Sequence, residues 1–251
     1  MSGGQALWLQ TTVANPDAPV RLVCFPHAGG SASFFRGWGV LFPRCEVLAV
    51  RYPGRSQRIT EPSPTDIVAL ARGIATALTA VADRPLVLFG HSMGAVVALE
   101  TARALQELGV DPAHLVASGS RDVADAAAPS PDDNEDEDED DDLVIQRLVR
   151  LGGTDAETAD DPMFVELVLP YVRSDGRMFH AYRLAPRPVL RCPVTTVVGD
   201  ADEDADRRQW HALTAGGHRE VTVAGNHFYL VDDPPVDVLR EVMATVTAAE
   251  V

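Results

Sequence analysis

The chain reads as an α/β protein: a mostly parallel central sheet with helices on both faces, interrupted by one helical insertion. Three observations predict this. Short apolar runs rich in β-branched residues alternate with segments of 3.6-residue periodicity. The short runs are apolar on consecutive residues, as expected of strands covered on both faces. The alternation lapses once, between residues 121 and 191, where only helical patterns occur.

The elements follow in order. Residues 20–25 form the first clear strand, and "PHAGGSASFF" follows it. Residues 47–50 form a second strand, closed by "RYPGR". A helix is predicted over 65–81, with Ile67, Leu70, Ala71, Ile74, Ala77 and Leu78 on one face. Pro64 and Thr65 suit its start, and Asp66 suits its first turn. A strand over 86–89 gives way to a helix from 93 to 108, which Gly109 stops. Further strands are predicted at 115–117, 194–198 and 221–224, and a last helix at 237–246. Within the insertion, a helix over 143–151 ends at Gly152 and Gly153, and helices over 163–169 and 171–182 are divided at Pro170. The expected organisation is a core of residues 1–120 and 192–251 around a helical lid, 121–191, with an acidic loop at 129–142.

Composition removes several function classes. The 251 residues suffice for one large domain. No apolar run has the length of a membrane span. The first sixteen residues lack the basic start and apolar stretch of a secretory signal, so a cytoplasmic protein is expected. Cys24, Cys45 and Cys192 are odd in number and lack metal-ligand spacing, which predicts buried, reduced thiols and no metal. The net charge is −16, and ten of the acids lie in "DDNEDEDEDDD", residues 132–142; without them the charge is −6. Either value argues against nucleic acid. The run itself reads as a solvated, self-repelling loop. It lacks the turn glycine and terminal glutamate of a calcium loop. No long exposed apolar seam is apparent, so a monomer is expected.

The chemistry begins at Gly90-His91-Ser92-Met93-Gly94, a G-x-S-x-G pattern between the 86–89 strand and the helix from 93. Such a strand-to-helix turn holds a serine hydroxyl out at the carboxyl edge of a sheet, and the flanking glycines admit close neighbours. His91 is read as a packing residue, because adjacency in the turn points it away from the serine oxygen. Two later strand ends also carry reactive groups. An aspartate follows the 194–198 strand, and His227 follows the 221–224 strand. The order Ser…Asp…His is that of the α/β-hydrolase fold. Ser92 is the candidate nucleophile, His227 the general base, and the aspartate the group that holds the imidazole. Asp202 fits the G-x-x-D spacing from Gly199, with Asp200 the competing choice. Oxyanion donors are expected from the backbone N–H of Met93 and, in the "FPHAGGS" loop, of Ala28. Met163, Phe164, Leu167, Val168, Tyr171, Met178 and Phe179 are candidate chamber residues on the lid.

Taken together, "RLVCFPHAGGSASFF", "VRYPGRSQRITEP", "FGHSMGAVVALETAR", "LVASGS", "RLGGT", "LVLPYVRSDGRMFHAYR", "CPVTTVVGDAD" and "HFYLVDD" resemble the type II, stand-alone thioesterases of polyketide and non-ribosomal peptide synthesis. The resemblance covers almost the whole chain. It implies a serine thioesterase that removes stalled or wrongly loaded acyl groups from the phosphopantetheine arm of an acyl or peptidyl carrier protein. It also implies Ser92, Asp202 and His227 as catalytic residues, Ala28 and Met93 as oxyanion donors, and the 121–191 helices as a lid over an acyl chamber. The arm belongs to the partner, so no cofactor is implied. There are departures. Gly225-Asn226-His227 stands where the family has Gly-Gly-His, with Asn tolerating a left-handed turn. The stretch from Asp202 to Trp210 is short for the family, and the acidic run is foreign to it. The rival readings are a small-molecule carboxylesterase or acyl-CoA hydrolase on the same triad, and a non-catalytic carrier-protein-binding subunit.

Overall fold

The computed structural model describes residues 7–124, 141–159, 161–185 and 188–249. In chain order the elements are β1 (Leu9–Thr11), β2 (Arg21–Phe25), α1 (Trp38–Leu41), β3 (Glu46–Val50), α2 (Ile67–Thr79), β4 (Leu86–His91), α3 (Met93–Glu107), β5 (His114–Ser118) and β6 (Ser120–Asp122). The insertion helices follow: α4 (Asp141–Leu151), α5 (Ala156–Ala159), α6 (Pro162–Leu167) and α7 (Leu169–Ala181). Then come β7 (Val194–Gly199), β8 (Asp206–Arg208), β9 (His218–Val223), α8 (Tyr229–Asp232) and α9 (Val236–Ala248).

Seven strands form one sheet in the order β1-β3-β2-β4-β5-β7-β9, and β6 pairs with β8 in a second, two-stranded ladder. Among the described residues, β1 alone runs antiparallel, against β3; the other pairings in both sheets are parallel. The period-two geometry of a strand divides the core into two layers. Leu86 and Leu88 face a cluster built with α2 and α3, whereas Val87 and Phe89 face a cluster built with α1 and α9. Both faces are covered, so every residue of β2 and β4 is buried. Cys24, Cys45 and Cys192 are free thiols within these layers, and burial pushes the thiols of Cys45 and Cys192 up to about 12.

Where the elements differ from expectation, the reasons are local. Asp66 is the N-cap of α2 rather than a first-turn residue, and its carboxylate accepts the Ala69 N–H at 2.7 Å. The second break in the insertion falls at Val168, not at Pro170. Pro170 sits in the first turn of α7, where its missing N–H would have no intrahelical acceptor anyway. The boundary placed at residue 121 lies inside β6, a strand too short to show periodicity and made only by pairing with Asp206–Arg208. β9 starts at His218 because an edge strand, half covered, tolerates the polar residues that precede the apolar ones. The acidic loop lies largely outside the described residues. Its last two members, Asp141 and Asp142, open α4, where carboxylates meet the positive end of the helix. Asp141 pairs with Arg173 of α7 at 2.7 Å.

Candidate active site

A switch in strand order prepares the site. From β2 the chain moves outward to β3, then returns to place β4 on the other side of β2. A crevice opens beyond the carboxyl ends of the strands where winding reverses, here between β2 and β4. Ala28 lies in the loop after β2 and Ser92 in the turn after β4. Asp202 and His227 follow β7 and β9, whose carboxyl ends share the same edge because the strands are parallel.

Ser92 has φ 54° and ψ −124° and is the N-cap position of α3. A non-glycine residue in this region carries strain of about 1–3 kcal/mol and persists only where neighbours hold it. Here the Ser92 N–H donates to the Ser118 carbonyl and the Ser92 carbonyl accepts from Ala95, both at 2.9 Å. The flanking glycines are dictated by space. A Cβ on Gly90 would lie 2.1 Å from the Gly94 carbonyl oxygen, and one on Gly94 would lie 2.3 Å from that of Phe25. The Met93 N–H opens the helix at this turn, at the positive end of its dipole.

The loop after β2 is a tight turn. Gly30 N–H donates to the His27 carbonyl at 2.9 Å, Gly29 has φ 73°, and Ala28 is not in the positive-φ region. This is type II geometry, which demands a residue like glycine at the third position. Ala28 occupies the second position.

Asp202 and His227 are brought together. The imidazole Nδ1–H donates to the Asp202 carboxylate, at 2.9 Å to Oδ2 and 3.1 Å to Oδ1. Each residue is 5% exposed, so water competes little for the bond. Asp200 does something else: it is exposed and accepts the Gly225 N–H at 2.9 Å, bracing the loop that bears His227. In that loop Gly225 takes the positive φ, 117°, and Asn226 does not. Asn226 instead accepts the Phe228 N–H on its side-chain oxygen at 3.0 Å, an Asx-type turn.

His91 does more than fill space. Its ring centroid is 5.0 Å from that of His227, and its Nδ1 lies 2.8 Å from Ser118 Oγ, which in turn lies 2.7 Å from the Tyr229 hydroxyl. His27 stands 6.0 Å from His91 across the same cluster. Burial, with His227 nearby, lowers both imidazoles: His27 to about 3, and His91 well below its ordinary value. Both are therefore neutral near pH 7. Burial also lowers His114, to about 4.

These shifts predict a pH dependence of stability. The folded values lie below the unfolded one near 6.5, so below that pH the unfolded chain binds more protons. Stability is full above about pH 6.5 and is lost as pH falls toward the folded values. Each such histidine steepens the loss by roughly 1 kcal/mol per pH unit within its window. His114 begins β5, at the sheet edge opposite the site loops, with its Nε2 2.9 Å from Thr195 Oγ1. His114→Gln is expected to flatten the fall in unfolding free energy between pH 6 and pH 5, measured by urea denaturation. An unchanged slope would remove His114 from the account.

Among the described residues, the insertion helices touch the site loops from α4 and from α7. The Gly152–Gly153 turn after α4 abuts Asn226 and Phe228: Cβ atoms there would come within 3.1 and 3.0 Å of their side chains. Arg150 pairs with Asp204 at 3.3 Å, beside Asp202. On α7, Val172 packs against Gly29, whose Cβ would lie 2.7 Å from Cγ2. The chamber candidates divide. Met163 and Leu167 are exposed, and Phe164 is half-buried. Val168 and Tyr171 pack on a small cluster of Val144, Leu169 and Val172 within the insertion. Met178 is buried in the main core, with Phe179 packed against it.

A serine on a strained strand-to-helix turn, with a buried His–Asp pair at the same edge of a mostly parallel sheet, defines an α/β-hydrolase. Residues 20–246 match the Thioesterase domain family. The chain is 40% identical over 232 residues to thioesterase PikA5 of Streptomyces venezuelae, spanning 90% of this chain and 81% of that protein. It is 38% identical over 231 residues to a probable cadicidin biosynthesis thioesterase of Streptomyces griseus, spanning 90% of this chain but 62% of that longer protein. The structure of the type II thioesterase BorB from the borrelidin biosynthetic cluster superposes with a TM-score of 0.81 at 35% identity, covering 94% of this chain and 97% of that one. The chain belongs to the Thioesterase domain family.

Proposed function

We propose that the chain is a stand-alone serine thioesterase that clears acyl groups from the phosphopantetheine arm of acyl or peptidyl carrier proteins in polyketide or non-ribosomal peptide synthesis. The observation that carries the chemistry is the buried His227–Asp202 pair at the same sheet edge as the Ser92 turn. The family match and the biosynthetic names of the relatives support the substrate class.

In the proposed cycle, His227 Nε2 accepts the Ser92 proton as Oγ attacks the thioester carbonyl. Asp202 holds Nδ1–H and stabilises the imidazolium. The N–H groups of Met93 and Ala28 receive the oxyanion. Collapse of the tetrahedral adduct breaks the C–S bond, and His227 returns the proton to the departing thiolate of the arm. Water, deprotonated by His227, then hydrolyses the acyl-serine ester, which regenerates Ser92 and releases the acid. The α4–α7 helices act as the lid, since they rest on the loops bearing Ala28, Asp202 and His227. Phe164, Val168 and Tyr171 are the candidates to meet the acyl chain.

The test is a side-by-side assay of one acyl group on a carrier protein, on coenzyme A and as a p-nitrophenyl ester. The highest kcat/KM is expected on the carrier protein. A preference for the ester over both thioesters would make the chain a carboxylesterase. Failure of folded protein to react with a fluorophosphonate would make it a non-catalytic binding subunit.

A further inference from the structure

Arg55, five residues beyond the end of β3, and Asp175, midway along α7, form an ion pair sealed inside the protein. Their side chains are 1% and 0% exposed. Two parallel bonds of 2.5 Å join Nη1 to Oδ2 and Nη2 to Oδ1. The pair's other side-chain hydrogen bonds go to the turn after β2. Asp175 Oδ2 accepts the Gly29 N–H at 2.8 Å, and Arg55 Nη1 donates to the Gly30 carbonyl at 3.1 Å. The guanidinium lies 4.9 Å from the Tyr171 ring and 5.4 Å from the Tyr52 ring, and Tyr52 donates to the Pro26 carbonyl at 3.1 Å. Stability alone does not require such a pair, because well-packed apolar residues of similar volume often serve as well or better. What it adds is position. Pro26, Gly29 and Gly30 are each held by this group, and between them stands Ala28.

We propose that Arg55 and Asp175 are positioning residues for the oxyanion hole, fixing the Ala28 N–H and locking it to the insertion helix α7. This rests on the reading of Ala28 as an oxyanion donor. The ionic form has a reason. A carboxylate is a strong acceptor for the Gly29 N–H, but unpaired it would repel the negative charge that develops on the substrate nearby. Arg55 cancels that charge and leaves the hydrogen bond. Because α7 supplies the acceptor, the oxyanion donor and that wall of the insertion stay in register.

The test compares Asp175→Asn and the double variant Arg55→Met/Asp175→Leu with the wild type. Turnover of an acyl-pantetheine thioester is normalised to sites titrated with a fluorophosphonate. Melting temperature, and inhibition by an alkyl trifluoromethyl ketone that forms an oxyanionic adduct with the serine, are measured alongside. Asp175→Asn is expected to lower kcat by about 100-fold, with KM within about threefold and a matching loss of ketone affinity. The double variant should recover the melting temperature, because the buried charges are gone together, yet keep the low kcat. Wild-type kcat in a double variant of wild-type stability would make the pair merely structural and overturn the proposal. If the double variant does not fold, Asp175→Asn assayed well below its melting temperature decides, and unchanged kcat and ketone affinity would overturn the proposal equally. A wild-type protein that neither labels with the fluorophosphonate nor binds the ketone would instead remove the oxyanion reading beneath it.

Discussion

Ser92→Ala is expected to lower kcat by about three or more orders of magnitude and to leave the fold intact. The hydroxyl is the nucleophile in the proposed cycle, and neither Met93 N–H nor Ala28 N–H can replace it. They can still polarise a bound thioester, so residual hydrolysis above the uncatalysed rate is expected. Structure should survive for two reasons. The bonds that fix the turn are backbone bonds, from Ser92 N–H to Ser118 and from Ala95 N–H to Ser92. Alanine also keeps a Cβ at φ 54°, so the strain of the turn is neither relieved nor increased. Kinetics on an acyl-pantetheine thioester, with melting temperature measured in parallel, make the comparison. Hydrolysis near the wild-type rate by folded Ser92→Ala would remove the acyl-enzyme mechanism.

The architecture was legible because it is written in local patterns. The runs at 86–89 and 194–198 are apolar throughout because both sheet faces are covered, and the turn at Ser92 needs Gly90 and Gly94 whatever surrounds it. His227 stood out as the histidine that follows the last strand. Features that depend on distant pairing did not show. β1, β6 and β8 have three residues each, too few for a period, and exist because a partner strand is present. The part played by His91 is not legible in the sequence, since its bond to Ser118 spans 27 residues and the bond from Ser118 to Tyr229 spans 111. The Arg55–Asp175 pair spans 120 residues. Among 37 acids and 21 bases, no spacing marks those two as partners. The G-x-x-D spacing from Gly199 favours Asp202 over Asp200 but leaves both open, because both follow the same strand. In the structure, the turn that closes from Asp202 N–H to the Gly199 carbonyl, at 3.2 Å, separates the buried carboxylate from the exposed one.

That separation predicts a ranking: Asp202→Asn should lose about three to four orders of magnitude in kcat, and Asp200→Asn only a few-fold. The substitutions are isosteric, so the difference lies in which hydrogens move. At position 202, Oδ1 also accepts the Asp204 N–H at 3.1 Å. An amide there keeps its oxygen on that donor and places its NH2 where Oδ2 stands, 2.9 Å from His227 Nδ1. The NH2 can only donate, so Nδ1 must accept. The imidazole proton then moves to Nε2, the nitrogen that has to receive the Ser92 proton. The base is thereby lost, although every heavy atom can remain in place and the melting temperature need change little. At position 200 the one bond at stake is acceptance of the Gly225 N–H, which an amide oxygen provides as well. The exposed site imposes no tautomer on any neighbour. Measured on the same small thioester, the reverse ranking would make Asp200 the acid that acts through His227, and the loop after β7 would have to be threaded differently during turnover.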